Sequence, residues 1–141
     1  MRLTELLHNI DHRNDKIIGG AGDIEISSVA YDSRKVTEGG LFVCITGFNT
    51  DGHIYALSAV DKGAKAIVAE REINGIPEDI PVIVLPDTRR ALALISAEFY
   101  HQPSQKMNVI GVTGTNGKTT TTYLIKTILD HVGRQTGVIG T

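Results

Sequence analysis

The stretch Val109-Ile-Gly-Val-Thr-Gly-Thr-Asn-Gly-Lys-Thr-Thr-Thr-Thr122 constrains this chain more than any other. An apolar run enters a glycine-containing turn, and a helix-compatible segment leaves it directly after Gly117-Lys118-Thr119. Such a turn aims successive backbone N–H groups inward, and the helix that follows adds the partial positive charge of its N-terminus, which suits a phosphate. In that reading Gly114, Thr115, Asn116, Gly117, Lys118, Thr119 and Thr120 hold a nucleoside triphosphate. Lys118 meets the outer phosphates, and the Thr119 hydroxyl is the ligand for a Mg²⁺ ion bridging them, supported by Thr120. The standard loop has a glycine where Val112 stands, so only Gly114-x-x-Gly117-Lys118-Thr119 is strict.

The charge balance limits what else the chain binds. Fourteen Lys plus Arg against sixteen Asp plus Glu give a net charge of −2. That leaves no basic excess to attract nucleic acid or an anionic membrane. No apolar run approaches the roughly 18 residues of a membrane span, and Met1-Arg-Leu-Thr-Glu-Leu-Leu7 lacks the apolar core of a secretory signal, so the expected location is the cytoplasm. The one cysteine, Cys44, lies in the apolar run 41–45 and reads as core packing. His8, His53 and His101 have no metal-ligand spacing and read as surface or capping residues.

Periodicity gives the elements. Leu3, Leu6, Leu7 and Ile10 fall on one helical face, with Thr4 as a possible cap. Residues 24–30 alternate as a strand, 41–45 form an apolar strand, and 53–63 suit a helix ended by Gly63. Residues 66–69 and 81–86 read as further buried strands. Asp87 is placed to cap a helix over 91–100. After a linker at 101–105, residues 107–113 and 136–139 read as strands around a helix at 118–132. The expected fold is α/β, a small mixed-sheet domain at 1–103 followed by the first βαβ unit of a P-loop ATPase domain at 104–141. The first part is long enough to bury its own core. The second needs further strands and helices to cover its sheet, so the natural protein is expected to continue.

Thr113-Gly-Thr-Asn-Gly-Lys-Thr-Thr120 resembles the ATP loop of the Mur ligases and their folylpolyglutamate synthetase relatives, which accept the shortened glycine pattern. Tyr31-Asp-Ser-Arg-Lys-Val36, Gly40-Leu-Phe-Val43, Gly47-Phe-Asn-Thr-Asp-Gly-His53 and Gly63-Ala-Lys-Ala-Ile-Val68 are similar to the N-terminal domain of the Mur ligases, which the folylpolyglutamate enzymes lack. The resemblance covers nearly all of residues 25–141. It favours the branch that adds a diamino acid over the branch that adds a dipeptide in the next step, where a serine usually stands at Thr115.

The resemblance implies a uridine-nucleotide-binding first domain, with Tyr31, Ser33, Phe48, Asn49 and Thr50 near the nucleotide of UDP-MurNAc-L-Ala-D-Glu. It implies ATP and Mg²⁺ at the glycine loop, with Lys118 and Thr119 in catalytic roles. ATP would phosphorylate the D-glutamate carboxylate, and the amine of meso-diaminopimelate or L-lysine would then attack the acyl phosphate. No obligate protein partner is implied, and the fragment alone is expected to be inactive. Two alternatives stay open: a dipeptide-adding ligase, and a non-catalytic uridine-nucleotide-binding module. Locally, Asp32 to Arg34 also reads as an internal turn with an ion pair, and Asp51-Gly-His53 as a helix cap.

Overall fold

Leu41, Phe42, Val43 and Cys44 are all fully buried, though their side chains point alternately to opposite faces of a strand, so this strand must be covered on both sides. A computed structural model of the chain describes residues 1–10, 16–20, 22–48 and 50–140. It divides into two units, Met1–Pro103 and Ser104–Thr141.

The first unit is built on five strands, β1 (Lys16–Ile18), β2 (Ser28–Ala30), β3 (Gly40–Val43), β4 (Ala64–Ala69) and β5 (Val82–Val84). Their spatial order is β1-β5-β4-β3-β2, with only β1 antiparallel to its neighbour. Helices α1 (Leu3–Leu7) and α3 (Thr88–Phe99) cover one face, where Leu6, Ile26, Leu41, Val43, Val68, Ile83 and Ile95 form one apolar cluster. Helix α2 (Ala56–Asp61) covers the other, where Phe42, Cys44, Ala59, Ile67 and Val82 form a second. Each large side chain so buried contributes about 1.5–3 kcal/mol.

Most local expectations hold, with shifts that have physical causes. Asp87 caps α3 through a hydrogen bond from the Arg90 N–H at 2.9 Å, one turn earlier than the apolar pattern suggests. The strand expected at 24–30 narrows to β2 because its first half pairs instead with the N-terminus: Leu3 N–H donates to Ile24 C=O and Ile26 N–H to Met1 C=O, both at 2.8 Å. Thr4 is not the cap of α1. Its own N–H is capped by Asp23 Oδ1 at 3.2 Å, and Glu5 accepts the Arg2 N–H. The 53–63 helix begins as a 3-10 turn, Gly52–Tyr55, before α2.

In the second unit, helix α4 (Lys118–His131) forms as expected. Residues 107–113 and 136–139, expected as strands, carry no strand pairing among the described residues. A strand exists only through ladder hydrogen bonds to a neighbour, and no neighbour for either is described. Correspondingly, Val109, Ile110, Leu124, Ile128 and Ile139 are exposed. Among the described residues, no helix is long and apolar enough to cross a membrane.

Candidate functional site

Four parallel strands deliver their following loops to one edge of the first unit's sheet, their carboxyl ends. In open α/β sheets ligands bind outside that edge, where loop backbone is not committed to a ladder. The loop after β2 carries Tyr31 and the Asp32–Lys35 turn, and the loop after β3 carries Thr46 to Asp51. Glu70 and Arg71 follow β4, and Asp87 and Thr88 follow β5.

In the first of these loops Asp32 accepts the Arg34 N–H at 3.0 Å and pairs with the Arg34 guanidinium at 2.8 Å. Those hydrogen bonds from Arg34 hold the Asp32 carboxyl down at about 2. The internal turn and ion pair are therefore present, and they fix the 3-10 turn that displays Ser33. Lys62 Nζ braces the same turn by donating to Ser33 C=O at 2.8 Å. Tyr31 is 63% exposed at the start of this loop.

Phe48 is fully exposed in the second loop, as large an apolar group as any the edge presents to solvent. Thr50 is exposed beside it, and Asn49 lies outside the described residues. The stems of this loop are tight: Thr46 and Asp51 bridge antiparallel, Gly47 N–H donates to Thr50 C=O at 2.9 Å, and Gly52 N–H to Ile45 C=O at 2.9 Å. Gly52 is required here because a Cβ would stand 2.7 Å from the Ile45 nitrogen.

His53 is not a surface residue. It is 5% exposed, and it is held on both ring nitrogens: Nδ1 lies 2.5 Å from Asp51 Oδ1, and Nε2 accepts the Glu70 N–H at 2.9 Å. Asp51 also pairs with the Arg71 guanidinium, and the hydrogen bonds from Arg71 and then His53 push its carboxyl far below the usual range. Sequence reasoning missed Glu70 and Arg71. The available signal was positional: they are the first charged residues after a buried strand of a parallel sheet.

The second unit presents a different kind of site. Gly117 caps α4 with φ 75°, a left-handed backbone that glycine adopts without strain, and this turns the loop so that it opens onto the helix N-terminus. No atom lies within 4 Å of where a Gly117 Cβ would stand. Gly114, Thr115, Asn116, Gly117, Lys118, Thr119 and Thr120 are all exposed. Among the described residues, neither the Thr119 nor the Thr120 hydroxyl is engaged in a hydrogen bond, and no group of three or more His, Cys, Asp or Glu side chains is placed to hold a metal by itself. One hard hydroxyl oxygen at a helix start suits a Mg²⁺ ion that takes its other oxygens from phosphate and water.

The profile described as Mur ligase family, catalytic domain, matches residues 25–100, more than half of the chain. The chain belongs to the Mur ligase family. That match ends before the glycine loop, so membership rests on the first unit and the loop is an independent agreement. The UDP-N-acetylmuramoyl-L-alanyl-D-glutamate--2,6-diaminopimelate ligase of Bacillus licheniformis is 48% identical over 141 residues, all of this chain and 28% of that protein. The enzyme of the same name from Clostridium botulinum is 50% identical over 119 residues, 83% of this chain and 25% of its own length. Among solved structures, MurF from Acinetobacter baumannii superposes with a TM-score of 0.65 at 27% identity, over 92% of this chain and 27% of that one. A structure of a UDP-N-acetylmuramoyl-L-alanyl-D-glutamate--2,6-diaminopimelate ligase gives 0.65 at 30% identity, over 82% of this chain and 24% of that one. This Mur ligase chain thus spans little more than a quarter of the curated relatives it matches.

Proposed function

We propose that this chain is the N-terminal part of an ATP-dependent amide ligase that adds 2,6-diaminopimelate to UDP-MurNAc-L-Ala-D-Glu. The observation that carries the reading is the 48% identity to a ligase of that name across all 141 residues, which takes in both the sheet-edge loops and the glycine loop. The diamino acid is taken from relatives such as those of Bacillus licheniformis, Syntrophomonas wolfei and Clostridium perfringens, which carry diaminopimelate in their names. Relatives of 41–50% identity carry the diaminopimelate-adding name, which favours this branch over the dipeptide-adding one.

In this reading residues 1–103 form the domain that binds the uridine end of the substrate. Tyr31 and Phe48 offer aromatic surface to a base, and Ser33, Asn49 and Thr50 offer polar groups to uracil, ribose or phosphate. Residues 104–141 begin the ATP-binding domain. Its loop N–H groups from Gly114 to Thr119 cradle the phosphates, Lys118 neutralises charge on the transferring phosphoryl group, and Thr119 with Thr120 behind it holds Mg²⁺. A Mg²⁺ ion held there would supply neutralisation of the phosphate charge. The γ-phosphoryl group passes to the D-glutamate carboxylate, releasing ADP. The diamino acid amine then attacks the acyl carbon and expels phosphate. No side-chain nucleophile is needed, so the chain's contribution is placement and charge neutralisation. A cytoplasmic location goes with the use of ATP.

Calorimetric titration of the 141-residue chain with UDP-MurNAc-L-Ala-D-Glu, with UDP as competitor, tests the first domain. Binding that UDP displaces is expected, and no binding overturns the assignment. Ligation of diaminopimelate rather than D-alanyl-D-alanine by a longer protein carrying this chain tests the branch.

A further inference from the structure

The loop that carries Phe48 and Thr50 is gripped on both stems by residues that follow β4 and β5. On the Asp51 stem, Oδ1 accepts the His53 N–H at 3.0 Å and the ring Nδ1 lies 2.5 Å away, while Oδ2 takes the Arg71 guanidinium. Because Nε2 accepts the Glu70 N–H at 2.9 Å, the ring hydrogen sits on Nδ1 and donates to Asp51. His53 therefore spans the gap between the loop stem and the end of β4. On the Thr46 stem, the Glu70 carboxylate accepts the Thr46 hydroxyl at 3.2 Å, the Thr88 hydroxyl at 3.1 Å and the Thr88 N–H at 3.3 Å. Arg89 donates to Thr46 C=O at 2.7 Å.

None of these side chains belongs to either apolar cluster. A fold needing only stability would place apolar groups at the buried positions 53 and 88, since buried polar groups are costly unless every partner is in place. What this satisfied network does instead is fix the two stems of one exposed loop to the strand ends beneath it.

We propose that Asp51 and His53 are positioning residues for the uridine-nucleotide substrate, setting the loop conformation in which Phe48 and Thr50 meet it. This rests on the assignment of the sheet edge to the uridine end. His53 acts through its Nδ1–H bond to Asp51, and Arg71 holds the same carboxylate from outside. Neither touches substrate.

Two substitutions separate this from a general structural role. His53→Asn puts an amide donor close to where Nδ1 stands and gives up the acceptor for Glu70. His53→Gln reaches toward Glu70 with an acceptor and gives up the donor to Asp51. Both remove the ring, so both lower the melting temperature. Calorimetric binding of UDP-MurNAc-L-Ala-D-Glu to the 141-residue chain is expected to stay near the unmodified value in His53→Asn and to weaken about tenfold in His53→Gln. Amide exchange at Gly52, bonded to Ile45, speeds up in His53→Gln while exchange at Cys44, bonded to Val68, does not. Arg71, whose side chain is more than half exposed, gives a second arm: Arg71→Met weakens binding and Arg71→Lys restores most of it. Equal affinities of the two His53 variants, or unchanged binding by Arg71→Met, overturn the positioning role alone. Failure of the unmodified chain to bind overturns the uridine assignment and the positioning role with it.

Discussion

Lys118 Nζ donates to the Gly114 carbonyl oxygen at 2.6 Å and lies 3.5 Å from that of Thr115, so the ammonium is folded back onto the loop it belongs to. The same four-residue spacing that closes this contact keeps the charge beside the N-terminus of α4, whose N–H groups would draw a phosphate in the proposed function. Replacing Lys118 by Ala removes the charge but none of the groups of the first unit. In a longer protein carrying this chain, Lys118→Ala is expected to lower turnover about 100-fold or more, with binding of the uridine-nucleotide substrate unchanged. Single-turnover assays and calorimetry on the same preparation check both halves. Substantial residual ligation would remove Lys118 from its role.

Two carboxylates of the sheet edge make the first unit sensitive to acid. Arg34 hydrogen bonds hold Asp32 at about 2, and Arg71 with His53 holds Asp51 lower still. An unfolded aspartate has a value of about 3.9, so on acidification the unfolded state takes up these protons first. The stabilisation is fully present above that value and is lost as pH falls toward the folded values. Denaturant melts should show stability declining from about pH 4 to about pH 2, with the decline shallower in Asp51→Asn. The Asp32 share should shrink in added salt because Arg34 is exposed and screened, whereas a decline identical in the parent and Asp51→Asn and at all salt levels would refute these assignments.

What was legible in the sequence depended on whether its signal was local. β3, β4 and α3 were readable because unbroken apolar runs, a cap at Asp87 and the glycine at position 63 all act within a few residues. The glycine loop was readable for the same reason, since Gly117-Lys118-Thr119 fixes its own backbone. β1 was not, because Lys16–Ile18 becomes a strand only by pairing with β5, more than sixty residues away. The strands expected around α4 failed for the converse reason: their pattern is apolar, but pairing partners are needed to make a ladder. The cap at Asp51 was legible and holds, but the burial of the His53 ring was not, because an Asp-Gly-His cap looks the same whether the ring faces solvent or bridges to a strand end.

Asp87 offers a direct measure of a single local signal. Its carboxylate accepts the Arg90 N–H at 2.9 Å, and its own carbonyl starts the helix by accepting the Ala91 N–H at 3.0 Å. Helix α3 presents Ala91 and Ile95 to the core, so loosening its first turn also loosens Thr88, which sits on Glu70. Asp87→Ala is expected to cost about 0.5–2 kcal/mol by chemical denaturation, and Asp87→Asn much less because an amide oxygen still caps. An Ala variant as stable as the parent would mean that the hydrogen bond contributes nothing.

Cys44 turns the burial of the sheet into a clock. It directly follows β3 with no exposed surface, and burial, reinforced by the nearby Asp51 charge, pushes its thiol up to about 12. Thiolate is the reacting species, so the native thiol is shielded twice, by access and by charge. Labelling with a neutral alkylating reagent near pH 8 should run about 1,000-fold or more slower than in denaturant, at a rate set by opening of the sheet. Because Cys44 N–H is bonded to Val68 C=O, that opening must separate β3 from β4. Destabilising α3 through Asp87→Ala should then accelerate labelling only if α3 and the β3–β4 pair open together. Labelling that is fast in the folded chain would contradict the burial itself. Labelling that is slow and indifferent to Asp87 would divide the first unit into a sheet and a separately fraying helix.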